Sequence, residues 1–194
     1  MDLLLQKYND YMRLVGCKVK YELIDGTVIE VVYREENFLH LLGLHKIVDI
    51  QLIQFWLDRT NRTVKLLDVI KGIKNGTLTD ALIKGSHFYH LIQDRYENFS
   101  YDNLTTLNYT DAIVDFNASL IHSKISSDYI LFEEKKKGEY NHMGIAKDAV
   151  SGSRYVETFF HESSDKYIAG QKTVKVKSYK VYDINGNVLF EDSF

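Results

Sequence analysis

The sequence contains no proline and a single cysteine, Cys17. Without proline, turns have to be recognised from glycine, asparagine and aspartate, which also favour tight turns. One cysteine excludes a disulfide bond within the chain, as is typical of proteins in reducing compartments. No apolar run reaches the roughly 18 to 20 residues of a membrane-spanning helix, and the opening stretch MDLLLQKYND lacks the features of a secretion signal. We therefore expect a cytoplasmic protein without a membrane segment.

Positive charge is also scarce, because 24 Lys and Arg stand against 27 Asp and Glu, a formal net charge of −3. A nucleic-acid partner would therefore have to meet a local cluster of cations. The seven histidines form neither an HExxH pair nor a set with cysteine, so no zinc site is indicated. The glycine-containing stretch SGSRY lacks the spacing of a phosphate-binding P-loop. The sequence predicts no metal and no other cofactor.

The length and composition are those of an ordinary globular domain. A chain of 194 residues can bury one sizeable core, whereas two full domains would be small. The hydrophobic fraction is 45% and the charged fraction is 26%, both close to the average for globular proteins. No internal repeat or linker divides the chain. We predict a single domain that spans residues 1–194.

The hydrophobic pattern changes period three times along the chain. Residues 1–16 have apolar side chains at helical spacing, and residues 18–34 alternate as in a hairpin whose turn is Asp25-Gly26. Residues 35–101 return to helical spacing, and residues 110–194 alternate again. The pattern predicts an α+β fold in which an N-terminal β-hairpin is followed by a helical block and a C-terminal sheet. The helices are expected to pack on a mostly antiparallel sheet.

A second two-residue turn signal, Asn185-Gly186, lies between the last two predicted strands. It has the same chemistry as Asp25-Gly26, since a two-residue hairpin turn of this type needs positive φ at both positions. We expect both dipeptides to form turns of this kind.

Two segments carry a resemblance to a known family. The stretch ENFLHLLGLHKI follows the predicted hairpin directly, and the strand pattern YVETFFHESSDKYIAGQKTVKV lies near the C-terminus. In these segments the chain resembles the phage-associated Barnase/EndoU/colicin/RelE-like nucleases, fourth type. The resemblance implies a compact nuclease fold, an origin in a phage or mobile element, and RNA cleavage without a metal. Members of that family often have proline before a Ser/Thr-Phe pair, where this sequence has Glu157 before Thr158-Phe159.

Metal-independent RNA cleavage needs a base, an acid and donors that hold the phosphate charge. Histidine suits the first two tasks because its ordinary pKa lies near neutrality. We predict His40, Thr158 and His161 as catalytic residues. His40 lies in the first resembling segment, Thr158 shares a predicted strand face with Val156 and Phe160, and His161 begins the predicted loop that follows.

Each of these residues also has an ordinary structural interpretation. His40 fits a helix-surface or core histidine, Thr158 fits a half-buried strand, and His161 fits an exposed loop. His45 and Lys46 lie at the predicted end of a short helix, where a cation complements the helix dipole. Lys46 is in addition placed to contact a phosphate.

Cations and one aromatic residue form the predicted substrate-binding set. Lysines cluster at residues 135–137 and 172–180, where they would offer phosphate contacts or only protect strand edges from aggregation. Arg154 and Tyr167 are further candidates, for a phosphate contact and for stacking on a base. The predicted set is Lys46, Lys135, Arg154, Tyr167, Lys172, Lys175 and Lys177.

Two functions remain open from the sequence. The first is an endoribonuclease, such as a toxin, that cuts RNA by acid–base transesterification. The second is a non-catalytic phage or mobile-element protein that binds and inhibits a host or defence-system partner. Convergence of His40, Thr158 and a lysine within about 10 Å in a cleft would favour the enzyme. The RNA target, the oligomeric state and the identity of any protein partner do not follow from the sequence.

Overall fold

The computed structural model describes residues 1–58, 60, 62–105 and 109–194. Within these residues the chain forms α-helices and one large sheet, so the α+β class is confirmed. The predicted helical region holds several short helices rather than a few long ones. The helices are α1 (Leu3–Met12), α2 (Phe38–Leu41), α3 (Gln51–Leu57), α4 (Arg62–Lys74), α5 (Asp80–Lys84), α6 (Gln93–Asn98) and α7 (Tyr101–Thr105). No helix among the described residues has the length and apolar character that crossing a membrane requires.

The sheet closes on itself, which the sequence analysis did not predict. Its strands hydrogen-bond in the order β1-β2-β6-β5-β4-β3-β7-β8, and β1 also pairs with β7. The first seven strands therefore form a closed barrel, and β8 extends it outside the ring. All neighbours are antiparallel except β2 and β6, which are parallel. The strands are β1 (Lys18–Leu23), β2 (Val28–Val32), β3 (Asp111–Val114), β4 (Tyr129–Lys136), β5 (Glu139–Lys147), β6 (Arg154–Glu162), β7 (Thr173–Tyr182) and β8 (Val188–Ser193).

Both predicted hairpins form, but their turns differ from the predicted type. In the first, the Leu23 amide donates to the Thr27 carbonyl and the Gly26 amide donates to the Leu23 carbonyl, at 2.9 and 3.0 Å. Only Gly26 has positive φ, +86°. The three-residue loop therefore needs the left-handed conformation at its last position alone. The hairpin between β7 and β8 repeats this geometry, with Gly186 at φ +85°.

Helix α1 forms where the sequence predicts a helix. Asp2 caps its N-terminus, because the carboxylate accepts hydrogen bonds from the amides of Leu4 and Leu5. Leu4, Tyr8 and Tyr11 recur at steps of four and three residues and are all buried. This face packs α1 against the main core.

Aromatic rings connect the helices to the barrel. Tyr11 of α1 and Phe38 of α2 have ring centroids 5.4 Å apart, and Phe99, which follows α6, lies 5.8 Å from Phe38. Phe99 also meets Phe159 of β6 edge-on at 6.1 Å. These contacts belong to the main core and hold α2 and α6 beside β6.

A β-bulge changes which residues of β6 share a face. The register between β5 and β6 shifts between Gly144 and Ile145, which leaves Glu157 without a partner. Val156 and Phe159 therefore both face the main core. The prediction that Val156 shares a face with Thr158 was wrong, because the extra residue resets the alternation. His161 lies within β6, so the prediction that it begins a loop was also wrong.

Candidate active site

A cleft of about 550 Å³ opens between α2, α6 and β6. Residues from four separate parts of the sequence line it. The cleft brings together five residues of the predicted catalytic and substrate-binding sets, namely His40, Lys46, Thr158, His161 and Tyr167. Arg95, Lys124, Glu157 and Glu162 also contribute to its walls.

Two histidines stack on the helical side of the cleft. Helix α2 ends at Leu41, and Gly43 takes the left-handed conformation at φ +81° before the 3₁₀ helix Leu44–Lys46. This reversal places the His45 ring on the His40 ring, with centroids 4.3 Å apart and 16° between the planes. The pair also borders a second, more apolar cleft on its other side.

His45 is a neutral ring at physiological pH. Burial, with smaller contributions from the charges of His40, Arg95 and Lys46, lowers its pKa to about 4. Its Nδ1 is buried and has no hydrogen-bond partner among the described residues. His40 is the more exposed ring of the pair.

Gly43 allows α6 to approach the histidine pair. A Cβ at this position would lie 3.0 Å from Ile92 Cγ2 and 3.1 Å from Arg95 Cδ. The Arg95 guanidinium donates to the His40 carbonyl over 3.4 Å. Arg95 is not among the predicted site residues, because it lies far from His40 in the chain and within no recognisable motif. The one indication in the sequence is Gly43, because a glycine beside His40 allows another segment to pack closely against it.

The cations beside the histidines form no ion pairs within the described part of the chain. Lys46 donates a 3.4 Å hydrogen bond to the Leu91 carbonyl, and its pKa is lowered by burial and by the charge of Arg95. Burial also lowers the pKa of Arg95, to about 10, so the guanidinium remains charged at neutral pH. Two neighbouring cations that form no ion pair repel each other, and a bound anion would relieve this repulsion.

The opposite wall consists of the bulged part of β6. Glu157 is held in place because its carboxylate accepts hydrogen bonds from the hydroxyls of Ser126 and Ser127. Thr158 is buried against Gly144, where a Cβ would lie 2.7 Å from the Thr158 Cγ2. The Thr158 hydroxyl forms no hydrogen bond with any described residue and can donate to a ligand.

His161 and Tyr167 complete this wall. The Nδ1 atom of His161 lies 3.1 Å from the Asn141 Oδ1, which orients the ring. Tyr167 packs on Phe160, with ring centroids 4.6 Å apart, and its half-exposed ring offers a stacking surface. The cleft thus combines ring nitrogens, a hydroxyl, cations and an aromatic face.

The remaining predicted substrate-binding residues do not line this cleft. Arg154 lies over the Tyr129 ring at 5.2 Å. The four lysines are paired with acidic side chains. The ion pairs are Lys135 with Glu133 at 2.8 Å, Lys172 with Asp115 at 3.8 Å, Lys175 with Asp111 at 2.8 Å and Lys177 with Glu22 at 2.8 Å.

The groups in the cleft are those that phosphodiester cleavage requires, namely proton donors and acceptors beside cations. The chain belongs to the family described as phage-Barnase-EndoU-ColicinE5/D-RelE like nuclease 4, whose family model matches residues 3–193. The resemblance inferred from the sequence is thereby confirmed. No curated protein and no solved structure matches the chain.

Proposed function

We propose that the protein is an endoribonuclease that cuts RNA in this cleft by transesterification, without using a metal. The observation that carries this proposal is the convergence of His40, Thr158 and His161 with unpaired cations in one cleft. Their sequence separation exceeds a hundred residues between His40 and Thr158, so no local pattern brings them together. Membership of a nuclease family supports the same reaction class.

In the proposed reaction, Nε2 of His161 takes the proton of the ribose 2′-hydroxyl. The 2′-oxygen then forms a bond to phosphorus while the bond from phosphorus to the 5′-oxygen breaks. His40 donates a proton to the leaving 5′-oxygen. The products are a 2′,3′-cyclic phosphate and a 5′-hydroxyl, so all protons and bonds balance without a further reactant.

Arg95, Lys46 and Thr158 hold the phosphate in this proposal. A guanidinium presents two parallel N–H donors to phosphate oxygens, and partial burial strengthens this interaction. The Thr158 hydroxyl supplies a further donor from the opposite wall. Charge that develops on the phosphorane is thereby stabilised from both sides, and Tyr167 stacks on an unpaired base.

The test is cleavage of total RNA and defined transfer RNAs in EDTA by the wild type, His40→Ala and His161→Ala. We expect the wild type to leave 2′,3′-cyclic phosphate ends. Each variant should lose about 10²- to 10⁴-fold in rate, because one proton-transfer group is missing. The matched control is His90→Ala, which removes an exposed histidine outside the cleft and should cleave like the wild type.

All variants need melting temperatures within a few degrees of the wild type, so that loss of activity is not loss of fold. A folded wild type that cleaves none of these RNAs contradicts the proposal. So does cleavage that is unchanged in His40→Ala and His161→Ala.

A second candidate function is binding to a protein partner without catalysis. The observation that favours it is the exposed apolar surface of β8, where Leu189 is 57% exposed and Phe190 is 44% exposed. Absence of cleavage, together with a host partner that binds the wild type and not Leu189→Lys, would favour this function.

A further inference from the structure

A chain of buried polar contacts leads away from His161 into the barrel. The Nδ1 atom of His161 contacts Asn141 Oδ1 at 3.1 Å, and Asn141 Nδ2 donates to Glu133 Oε1 at 3.2 Å. Glu133 pairs with the ammonium of Lys135 at 2.8 Å. Lys135 in turn donates to Asn103 Oδ1 at 2.8 Å. Asn141 is fully buried and Glu133 is 5% exposed.

The chemistry of these groups allows one arrangement of hydrogens. The Glu133 carboxylate, which pairs with the Lys135 ammonium, only accepts hydrogen bonds. Asn141 must therefore turn its amide nitrogen towards Glu133 and its Oδ1 towards His161. Because Oδ1 also only accepts, Nδ1 of His161 has to carry the hydrogen. In the neutral ring, Nε2 then holds the one available lone pair.

We propose that Asn141 and Glu133 are positioning residues that hold His161 in its Nδ1–H tautomer and leave Nε2 to accept a proton. The role in catalysis rests on the proposed ribonuclease function, whereas the tautomer does not. The role explains why an amide and a carboxylate lie inside the barrel. Along their strands, Leu131 and Met143 occupy the alternate positions on the same face and belong to the apolar core. A well-packed apolar pair at 133 and 141 would serve stability at least as well as buried polar groups.

The test uses protein labelled with ¹⁵N in histidine, and long-range proton–nitrogen NMR spectra at a pH where the ring is neutral. The ¹⁵N shifts of Nδ1 and Nε2 distinguish the two tautomers, and His161→Gln assigns the signals. We expect the wild type to show the Nδ1–H tautomer. Glu133→Gln preserves the size of the side chain but can both donate and accept. It therefore frees Asn141 to rotate, and we expect a mixture of tautomers.

Glu134→Gln is the matched control. Glu134 is the next residue, its carboxylate accepts from the Gly138 amide instead of Asn141, and its neutralisation should leave the His161 tautomer unchanged. A wild-type His161 in the Nε2–H tautomer overturns the proposal, and so does a Glu133→Gln spectrum identical to that of the wild type. Because the wild-type measurement is decisive by itself, the test does not depend on the stability of the variant.

Cleavage kinetics separate this proposal from the ribonuclease function. If the wild type cleaves RNA, Glu133→Gln should lower kcat by about two- to tenfold with little change in KM, because only the fraction of His161 rings in the Nδ1–H tautomer can accept the proton. An unchanged kcat despite a changed tautomer overturns the positioning role. If the spectra behave as expected but no RNA is cleaved, the tautomer assignment is supported and the ribonuclease function fails.

Discussion

His142 is buried in β5 as a stacked, uncharged ring. The His142 and Phe160 rings are nearly parallel, with 3° between their planes and 4.6 Å between their centroids. Neither nitrogen of the His142 ring has a side-chain hydrogen-bond partner among the described residues. Burial, with a smaller contribution from the charge of His161, lowers its pKa to about 3. Between pH 3 and its ordinary pKa of 6.5, His142 is protonated in the unfolded chain but not in the folded chain. The contribution of His142 to the free energy of unfolding is therefore fully present above pH 6.5 and is lost as the pH falls towards 3.

Replacing His142 by phenylalanine should remove this acid sensitivity. The new ring keeps the stack with Phe160 and carries no titrating group. Between pH 7 and pH 4, the His142 contribution to the wild-type free energy of unfolding should fall by roughly 3 kcal/mol at most, and His142→Phe should lack this part of the decline. Urea unfolding at several pH values measures the difference. His90→Gln, which changes an exposed histidine, is the control and should show the same pH dependence as the wild type. If the free energy of unfolding falls equally with pH in the wild type and in His142→Phe, the assignment to His142 is wrong.

Individual residues of the site differ in how far the sequence reveals them. His40, Thr158 and His161 carry reactive groups in segments that resemble a nuclease family, so they were identified as candidates. Arg95 and Asn141 reach the site only through contacts between distant parts of the chain, and neither lies in a motif. Asparagine in a strand and arginine in a short helix have many ordinary roles, so residue type alone could not single them out.

At the scale of elements, Gly43 sets how closely α2 and α6 approach each other. Alanine at this position combines an unfavourable φ of +81° with contacts of 3.0 and 3.1 Å to Ile92 and Arg95. Gly76 has a similar φ of +77° but no atom within 4 Å of an added Cβ, so Gly76→Ala reports the backbone strain alone.

We expect Gly76→Ala to lower the free energy of unfolding by about 1 to 2 kcal/mol. Gly43→Ala should lower the free energy of unfolding by about 1 to 3 kcal/mol more than Gly76→Ala does, because the side chains of Ile92 and Arg95 have to move. Urea midpoints of both variants give the comparison. Equal losses would mean that α6 does not press on Gly43.

Sequence periodicity located most strands and failed at the bulge in β6. A period of two predicts faces correctly only while every residue of a strand has one partner. The extra residue, Glu157, shifts by one position the alternation of side chains between the two faces of β6. No residue type in the sequence indicates that shift. The consequence is functional in the proposed site, because the bulge turns both Glu157 and Thr158 towards the cleft.

At the scale of the whole molecule, the sequence predicted the α+β class but not the closure of the sheet. Alternating residues show that a strand has two different faces, and they do not identify its neighbours. Closure depends on β7, which pairs with β1, β3 and β8 along its ten residues. Of these partners, β1 and β3 are remote from β7 in sequence, so local patterns do not encode the ring.

Under the proposed function, the net charge of −3 leaves the local cations of the cleft as the groups that bind RNA. Three phosphate contacts, from Lys46, Arg95 and Lys124, predict that log K falls with log salt with a slope of about −2 for a single strand. Fluorescence anisotropy with an RNA made uncleavable by 2′-O-methyl groups measures this slope. Lys172→Gln combined with Lys175→Gln should leave it unchanged, because both lysines are already paired with aspartates. A steeper slope that this double variant reduces would show that RNA extends to β7.

The pairing of β1 with β7 also sets the order of events during synthesis. Lys18 and Tyr182 are partners in the closed sheet, so the N-terminal hairpin is made long before the strand that joins it to the far side of the ring. A nascent chain that has not reached residues 173–182 has an open sheet whose β1 edge is uncovered. Pairing between such distant segments is typical of slow folding. The ring can therefore close only after residues 173–182 have been synthesised, and every wall of the cleft precedes them in the chain.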